Sequence, residues 1–359
     1  MGHCACDRPL EEDHGLFSGD RLLLWPPMLH TAAKLRTLAA ESGLPSEITG
    51  DGACVIVHLG RAVDSEPFWT RVAARLTEEE LDATRALIGT HRSPTIEEIP
   101  NIRSLRYLLA ARDQRWFERV LVEGHLTCAF QPIVEATSRK VAGHEALLRA
   151  RLPDGSVIAA AQLLGAARAL GKLVALDVRA RLVALEQLTR HRLPGIVFIN
   201  FIPSAIYDPK TCLRQTWEAA RRLGVEPGRI VFEVIETESL TNLRHVRDVL
   251  LAYRSEGFRV ALDDIGSGYS SLLWLSDLQP DFLKIDRAIV RGCAEEAVKR
   301  AIIAKVTELA HAIGAAVVAE GVETGEDAQA ARELGVDLMQ GYLFGRPTIL
   351  DHGEAPANT

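Results

Sequence analysis

The chain has 359 residues and a formal net charge of −7, and 47% of its residues are hydrophobic and 25% are charged. These proportions are ordinary for a soluble globular protein and provide enough apolar material for a sizeable core. No segment is dominated by lysine and arginine, which argues against a groove for nucleic acid. The length fits a (β/α)8 barrel of roughly 250 residues with a small companion domain.

Targeting signals and cysteine usage favour the cytoplasm. The first twenty residues lack the apolar segment of a signal peptide, and no run of about 18 apolar residues is present to span a membrane. The six cysteines are scattered without a C-x-x-C pair, which predicts reduced thiols rather than a disulfide framework. A zinc site formed by His3, Cys4 and Cys6 with Cys54 or His14 is the weaker interpretation of the N-terminal tip, because C-x-C is a poor spacing for zinc and such tips are commonly disordered.

Residues 1–115 are expected to form a small α/β domain. Apolar runs at 21–25 and 53–59 predict short buried strands, and the apolar spacing at 28–42 predicts a helix that ends at Gly43.

Two helix-start signals and a linker follow in this domain. Thr77–Glu80 and Thr95–Glu98 each have the pattern of a capping box that opens a helix. Two prolines mark 92–101 as a linker, and apolar residues from Leu105 to Leu121 predict one further helix. We expect the domain to be regulatory or sensory, although its sequence identifies no chemistry.

Residues 116–351 show a regular alternation of strand and helix patterns, and 352–359 read as a disordered tail. Helical spacing separates most of the strand patterns, and 159–190 predicts two helices around Gly171. Eight strands alternating with helices predict a closed TIM-like barrel rather than an open sheet. The apolar, β-branched runs are at 127–134, 141–148, 196–201, 230–235, 258–263, 281–285, 315–319 and 336–340.

The connection between the first two barrel strands is unusually short. Only the residues from Glu135 to Lys140 join them, whereas a parallel crossover needs about a dozen residues or more. The first strand is therefore predicted to run antiparallel to the second.

Polar side chains stand at the carboxyl end of seven of the eight strand patterns. In a barrel these ends converge on the face that holds the active site. A single acidic residue at a strand end is most often a solvated loop residue or a helix cap, but seven strands with a polar group at the same end are hard to attribute to chance. The residues are Glu145, Asn200, Glu233, Asp263, Asp264, Lys284, Glu320 and Gln340.

The five carboxylates in this set would repel one another and raise each other's pKa values unless cations neutralise them. Oxygen ligands without histidine or cysteine favour Mg²⁺ or Mn²⁺ over zinc. The adjacent Asp263 and Asp264 would allow one carboxylate to bridge two metals roughly 3.5–4 Å apart. The residues therefore predict a site for two hard cations.

Eight short motifs occur in order along the barrel segment: Phe130–Val134, Glu145–Arg149, Phe198–Asn200, Glu233–Glu236, Asp263–Ser271, Leu283–Asp286, Ala319–Glu323 and Gln340–Pro347. This series resembles the EAL-domain family of cyclic-di-GMP phosphodiesterases over about residues 116–350. The order and spacing of the whole series carry the resemblance, since one EAL tripeptide means nothing. The family's barrel also has an antiparallel first strand. One departure is Ile265, where the family commonly has Phe, and it concerns loop packing more than chemistry.

The resemblance implies two Mg²⁺ or Mn²⁺ ions per active site. We expect Ca²⁺ to inhibit, because it prefers longer bonds and looser geometry than two close octahedral sites permit. Asp263 would bridge the two ions, with Asp264 beside it, and Glu320 belongs to the same set of ligands. The first ion would be held by Glu145, Asn200, Glu233 and Asp263.

The remaining matches imply contacts with water, substrate and a loop. Glu320 and Lys284 would position and deprotonate the attacking water. Glu236 would anchor the loop 264–271, which in the family links the site to dimer contacts. The substrate-binding group would consist of Gln131 on the guanine side, Arg149 on a phosphate and Gln340, which helps to order water.

The resemblance therefore implies hydrolysis of cyclic di-GMP to linear pGpG by a homodimer, which lowers second-messenger levels in bacterial signalling. A catalytically inactive receptor for cyclic di-GMP is the main alternative, and degenerate members would be expected to lose ligands that this chain retains. A pure protein-interaction domain is a third interpretation, and the intact acidic set argues against it.

Overall fold

The structure is a computed structural model that describes residues 19–49, 52–60, 65–206, 212–235, 243–265, 275 and 278–351. These residues belong to two compact units. The first contains the described residues up to Gly124 together with Gly165–Lys172, and the second contains His125–Leu164 and those from Leu173 onward. The zinc tip at His3, Cys4 and Cys6 and the tail at 352–359 lie outside the described residues.

The first unit contains an antiparallel sheet of five strands in the order β2-β3-β1-β4-β5. The strands are β1 (Arg21–Trp25), β2 (Ser46–Ile48), β3 (Val55–His58), β4 (Arg85–Gly89) and β5 (Arg103–Ser104). The predicted strands β1 and β3 and the first helix are confirmed. Strands β2, β4 and β5 were not predicted. Strands β2 and β5 are too short to show a period of two, and β4 follows the helix Glu78–Ala83 after a single residue. The helices are Leu29–Glu41, Glu66–Arg75, Glu78–Ala83, Leu105–Asp113 and Arg115–Val122.

The two capping patterns of this unit have different outcomes. At Thr77–Glu80 the box is complete: the side chain of Thr77 accepts from the Glu80 N–H at 3.2 Å, and Glu80 accepts from the Thr77 N–H at 3.0 Å. Thr95 and Glu98 also bond to each other, but only a 3₁₀ turn, Ile99–Asn101, follows. The predicted α-helix there is wrong, since Pro100 supplies no N–H to the second helical turn.

The second unit is a barrel, which confirms the predicted fold class. The ring closes because β6 pairs with both β7 and β14. It is antiparallel to β7, as predicted, and also to β14. Two short strands pair antiparallel with ring strands: β8 (Val157–Ala159) with β7, and β15 (Thr348–Ile349) with β6. The ring strands are β6 (Leu126–Glu135), β7 (Val141–Arg151), β9 (Ile196–Phe201), β10 (Ile230–Ile235), β11 (Arg259–Ile265), β12 (Phe282–Ile285), β13 (Ala316–Ala319) and β14 (Leu338–Gln340).

Helices occupy the connections between the parallel strands. The predicted pair around Gly171 is confirmed, and Gly171 has a positive φ of 60° that suits glycine at the break. None of the helices in the described part of the chain is long and apolar enough to cross a bilayer. The helices are Ala160–Ala169, Leu173–Arg190, Arg214–Leu223, Leu243–Ser255, Arg287–Val290, Ala297–Ala312 and Gly325–Glu333.

An apolar layer fills the barrel interior. Its side chains come from seven of the ring strands and pack as one buried cluster. The eighth strand, β7, has Gly143 at this level, where the Cβ of any other residue would lie 2.3 Å from the carbonyl oxygen of Ile196. Because strand residues alternate between faces, the next inward residue on each strand lies two positions away. The layer consists of Ile133, Phe198, Val231, Ala261, Phe282, Val318 and Leu338.

The carboxylate of Glu80 connects two helices of the first unit by hydrogen bonds, and we expect it to stabilise that unit. It accepts hydrogen bonds from Thr31 at 3.0 Å, from Lys34 at 2.9 Å and from the capped N–H of Thr77. The hydrogen bond from Thr77 and the ammonium of Lys34 lower the pKa of Glu80 from 4.5 to about 2. We expect Glu80→Gln to reduce the free energy of unfolding by roughly 1–3 kcal/mol at neutral pH.

Urea unfolding followed by circular dichroism measures this effect, with the exposed neighbour Glu79→Gln as the control. Because the folded-state pKa is depressed, the contribution of the carboxylate is complete above pH 4.5 and is lost as the pH falls toward 2. The difference between wild type and Glu80→Gln should therefore shrink over that range. A difference that stays constant with pH would contradict the assignment.

Candidate active site

A polar layer lies directly above the apolar layer of the barrel. Each parallel strand from β9 to β14 places a polar residue two positions after its apolar one, so both point inward. On the antiparallel β6 the order is reversed, and Gln131 pairs with Glu145 of β7 across the sheet. The structure thus brings together seven of the eight residues predicted at the strand ends, and the side chain of Asp264 lies outside the described residues.

The ammonium of Lys284 is at the centre of the polar layer. Lys284 is buried, and its Nζ lies 2.6 Å from Glu320 Oε1, 2.7 Å from Glu233 Oε1, 3.4 Å from Asp263 Oδ1 and 3.8 Å from Glu145 Oε2. Four carboxylates therefore surround one cation. The sequence predicted that these groups would meet, but not that the lysine would lie between them.

Side-chain amides hold Glu145 from both sides. Gln340 Nε2 donates to Glu145 Oε2 at 2.6 Å and to Gln131 Oε1 at 2.9 Å, and Asn200 Nδ2 donates to Glu145 Oε1 at 3.0 Å. Gln131 in turn donates to the carbonyl of Gly345 at 3.2 Å. Each oxygen of Glu145 thus accepts a hydrogen bond from a side-chain amide.

Gly341 allows the chain to turn immediately after Gln340. A Cβ at this position would lie 2.0 Å from the carbonyl oxygen and 2.4 Å from the nitrogen of Val322, both backbone atoms. Val322 also donates its N–H to the Gln340 carbonyl at 3.0 Å. Close backbone contact therefore links the segment that follows Glu320 to the one that carries Gln340.

The pKa values follow from burial and from the shared charges. Burial raises the pKa of Glu233 well above its usual range and that of Glu320 to about 8, although Lys284 opposes both shifts. Burial would also raise the pKa of Glu145, but Lys284 and the amide hydrogen bonds lower it overall. Burial alone would lower the pKa of Lys284, yet the surrounding carboxylates, Asp263 foremost, raise it well above its usual range. The site thus keeps Lys284 as an ammonium.

The donor set fits the predicted divalent cations. Glu233 is fully buried, and its Oε2 has no hydrogen-bond donor among the described residues; the same holds for Gln340 Oε1. Within the described ranges, no three acidic, histidine or cysteine side chains form a ready cage for one ion. Lys284 Nζ lies among four of the carboxylates instead. The oxygens of Glu145, Asn200, Glu233 and Asp263 nevertheless suit Mg²⁺ or Mn²⁺.

A cavity of about 270 Å³ opens beside the polar layer. Gln131, Glu145, Glu320 and Gln340 line its floor. Several wall residues were missed by sequence reasoning, which stopped at the strand ends. The available signal was their position in the motifs or shortly after one. Arg287 and Arg291 follow the motif Leu283–Asp286, and the other wall residues lie within motifs: Leu147, Gly321, Glu323, Gly341 and Tyr342.

Arg149 lies on the same face of β7 as Glu145, four residues further along the strand. Its guanidinium donates to the carbonyl of Leu148 at 2.8 Å. Glu236 and most of the loop 264–271 lie outside the described residues. The roles predicted for Arg149 and Glu236 therefore stay predictions.

Comparison with known proteins gives consistent matches. The EAL domain model matches residues 114–347. The cyclic di-GMP phosphodiesterase PdeF of Escherichia coli (strain K12) is 30% identical over 236 residues, which cover 65% of this chain and 31% of that protein. The chain spans about a third of the length of the curated relatives it matches.

Two solved structures extend this likeness. A standalone EAL protein from Vibrio cholerae O395, in its c-di-GMP bound form, has a TM-score of 0.57 at 32% identity, covering 64% of this chain and 98% of that one. Klebsiella pneumoniae BlrP1 in a manganese/cy-diGMP complex has a TM-score of 0.58 at 24% identity, covering 92% of this chain and 96% of that one. The second likeness shows the fold alone.

The contacts of Lys284 predict a large effect of removing its charge. In buffer with EDTA, Lys284→Met should destabilise the protein by roughly 3–5 kcal/mol, because buried carboxylates lose their counter-charge. Thermal unfolding measures the loss. Lys305→Met is the control, since the Nζ of Lys305 pairs with Glu308 at 2.7 Å in an exposed setting and should change stability by less than about 1 kcal/mol. Equal melting temperatures for the two variants would show that the carboxylates do not depend on the ammonium.

Proposed function

Since residues 114–347 match the EAL domain, the chain belongs to the EAL domain family, and we propose that it hydrolyses cyclic di-GMP to linear pGpG. The single observation that carries this proposal is the set of four carboxylates around Lys284 at the mouth of the barrel. Relatives named cyclic di-GMP phosphodiesterases support the choice of substrate. The reaction class is phosphodiester hydrolysis.

The proposed cofactors are two Mg²⁺ or Mn²⁺ ions. Glu145, Asn200, Glu233 and Asp263 would hold the first ion, and Asp263 with Asp264 the second. Bound there, such ions neutralise the phosphodiester, lower the pKa of the attacking water and stabilise the leaving oxygen. The buried Oε2 of Glu233 supports this assignment, because it has no hydrogen-bond donor among the described residues and a bound cation would satisfy it.

Glu320 is the residue we propose as general base. Its side chain is 18% exposed, more than those of the other three carboxylates around Lys284, and burial raises its pKa to about 8. A base whose pKa lies near the working pH is efficient. Lys284, held as an ammonium by its neighbours, would orient Glu320 and the water; a direct base role for Lys284 requires that bound cations first offset the carboxylates.

The substrate would lie in the cavity against its polar floor and its arginines. Arg287 and Arg291 line the wall, and guanidinium groups suit phosphate oxygens because they donate two parallel hydrogen bonds. Arg291 also pairs with Glu323. Arg149 on β7 would bind a phosphate, and Gln131 would contact the guanine side.

Turnover of cyclic di-GMP by the full chain tests the proposal. We expect hydrolysis with Mg²⁺ or Mn²⁺, none in EDTA, and inhibition by Ca²⁺, which prefers longer bonds and looser geometry. Glu145→Gln should reduce kcat by roughly 100-fold or more, because a metal-holding oxygen is replaced by an amide. The exposed Glu326→Gln is the matched control.

Two outcomes would contradict the proposal. Full activity in EDTA would exclude the two-cation mechanism. Binding of cyclic di-GMP without turnover under any metal condition would favour the inactive receptor instead.

We further propose that the protein acts in the cytoplasm as a homodimer and that residues 1–115 regulate the barrel at 116–351. Glu236 would link the loop 264–271 to the site. Light scattering should give twice the mass of one chain, and the activity per chain should fall on dilution through the dissociation range. A monomeric mass with undiminished turnover would contradict the dimer.

A further inference from the structure

A buried polar network lies on the outer side of the barrel strands, away from the polar layer. Asp177 and Arg181 are one turn apart on the helix Leu173–Arg190, and Asp177 Oδ2 is 3.0 Å from Arg181 Nη2. Arg181 Nη1 donates to the hydroxyl of Tyr253, on the helix Leu243–Ser255, at 2.6 Å. Arg181 and Tyr253 are fully buried and Asp177 is 3% exposed. We call these three residues the Asp–Arg–Tyr network.

At one end of the network, Asp177 binds the backbone just after strand β9. Asp177 Oδ1 accepts a hydrogen bond of 2.9 Å from the N–H of Ile202. Ile202 follows Asn200 by two residues, so this bond fixes the backbone just beyond the Asn200 side chain. A charged acceptor makes such a bond stronger than a neutral one would.

The other end holds strand β10. The ring of Tyr253 stacks on Phe232 with the ring centroids 3.8 Å apart and the planes 25° apart. Phe232 precedes Glu233, and alternation along the strand places Phe232 outside the barrel and Glu233 inside. Asn200 and Glu233 are themselves paired in register on the two neighbouring strands.

Stability alone does not explain a network of this kind. A buried ion pair contributes little more to folding than apolar side chains of the same volume, because both charges lose their hydration. The network differs from an apolar contact in direction, since its hydrogen bonds from Ile202 to Asp177 and from Arg181 to Tyr253 each fix a distance and an angle. An ion pair between Asp177 and Arg181 connects these two bonds. The network therefore connects the segment just after β9, which carries Asn200, to the outer face of β10, which carries Glu233.

We propose that Asp177, Arg181 and Tyr253 are positioning residues that set the separation of Asn200 and Glu233 for a divalent cation. This inference rests on the proposed function, because both side chains belong to the proposed metal-holding set. Groups that orient metal ligands from behind typically change metal affinity or activity by about 10- to 100-fold when they are removed.

Tyr253→Phe tests one end of the network, since it keeps the ring and removes only the hydroxyl. The readout is the binding of Mn²⁺ alone to the full chain, measured from the electron paramagnetic resonance signal of free Mn²⁺. We expect the affinity to fall by about tenfold, with the KM for cyclic di-GMP little changed at saturating Mn²⁺.

Asp177 tests the other end. Asp177→Asn keeps an oxygen acceptor for the Ile202 N–H and should retain more Mn²⁺ affinity than Asp177→Ala. If Asp177→Ala does not fold, Tyr253→Phe and Asp177→Asn still decide the question.

Arg229→Met is the matched control at the opposite end of the same strands. Arg229 precedes β10 and donates to the carbonyls of Gly195 at 2.9 Å and Leu193 at 2.6 Å, just before β9. It should lower the melting temperature and leave Mn²⁺ affinity unchanged. Wild-type Mn²⁺ affinity in Tyr253→Phe, or an equal loss in Arg229→Met, would overturn the positioning role. A wild-type chain that binds no Mn²⁺ would instead count against the proposed function itself.

Discussion

The ammonium of Lys284 among four carboxylates is the interaction on which the barrel mouth depends. Buried acids at this distance from one another cannot all ionise without a neighbouring cation. That cation is the lysine, whose Nζ lies within 3.8 Å of all four acids. The four acids raise the pKa of Lys284, and burial raises that of Glu320 to about 8 although the ammonium opposes this shift. The ammonium thus holds together a cluster that divalent ions would share.

The alternation of side chains along the barrel strands places these polar residues together. On each strand from β9 to β14, two consecutive inward positions give first an apolar side chain that fills the interior and then a polar side chain. The apolar layer excludes water from the space beneath the site, so the carboxylates lie in a medium of low dielectric constant. The outer face of the same strands packs against helices, where the Asp–Arg–Tyr network reaches the backs of β9 and β10.

The ring strands and the polar residues at their ends were predictable because period two and motif order are local properties of the sequence. The antiparallel β6 followed from one short connection. The position of Lys284 between the acids was not predictable, because it depends on how far each side chain reaches across the barrel. Arg181 and Tyr253 are 72 residues apart in the chain, so no local pattern pairs them. The helix expected after Thr95 failed because a satisfied cap does not offset Pro100 within the next turn.

The proposed ligands of divalent cations are the carboxylates that Lys284 contacts in this structure. The most direct measurement is the anomalous difference density of crystals grown with Mn²⁺. Strong peaks among Glu145, Glu233 and Asp263, with the Lys284 ammonium displaced from at least one of them, are the expected result. Density without a peak at this position, with Lys284 still contacting all four acids at saturating Mn²⁺, would contradict the claim.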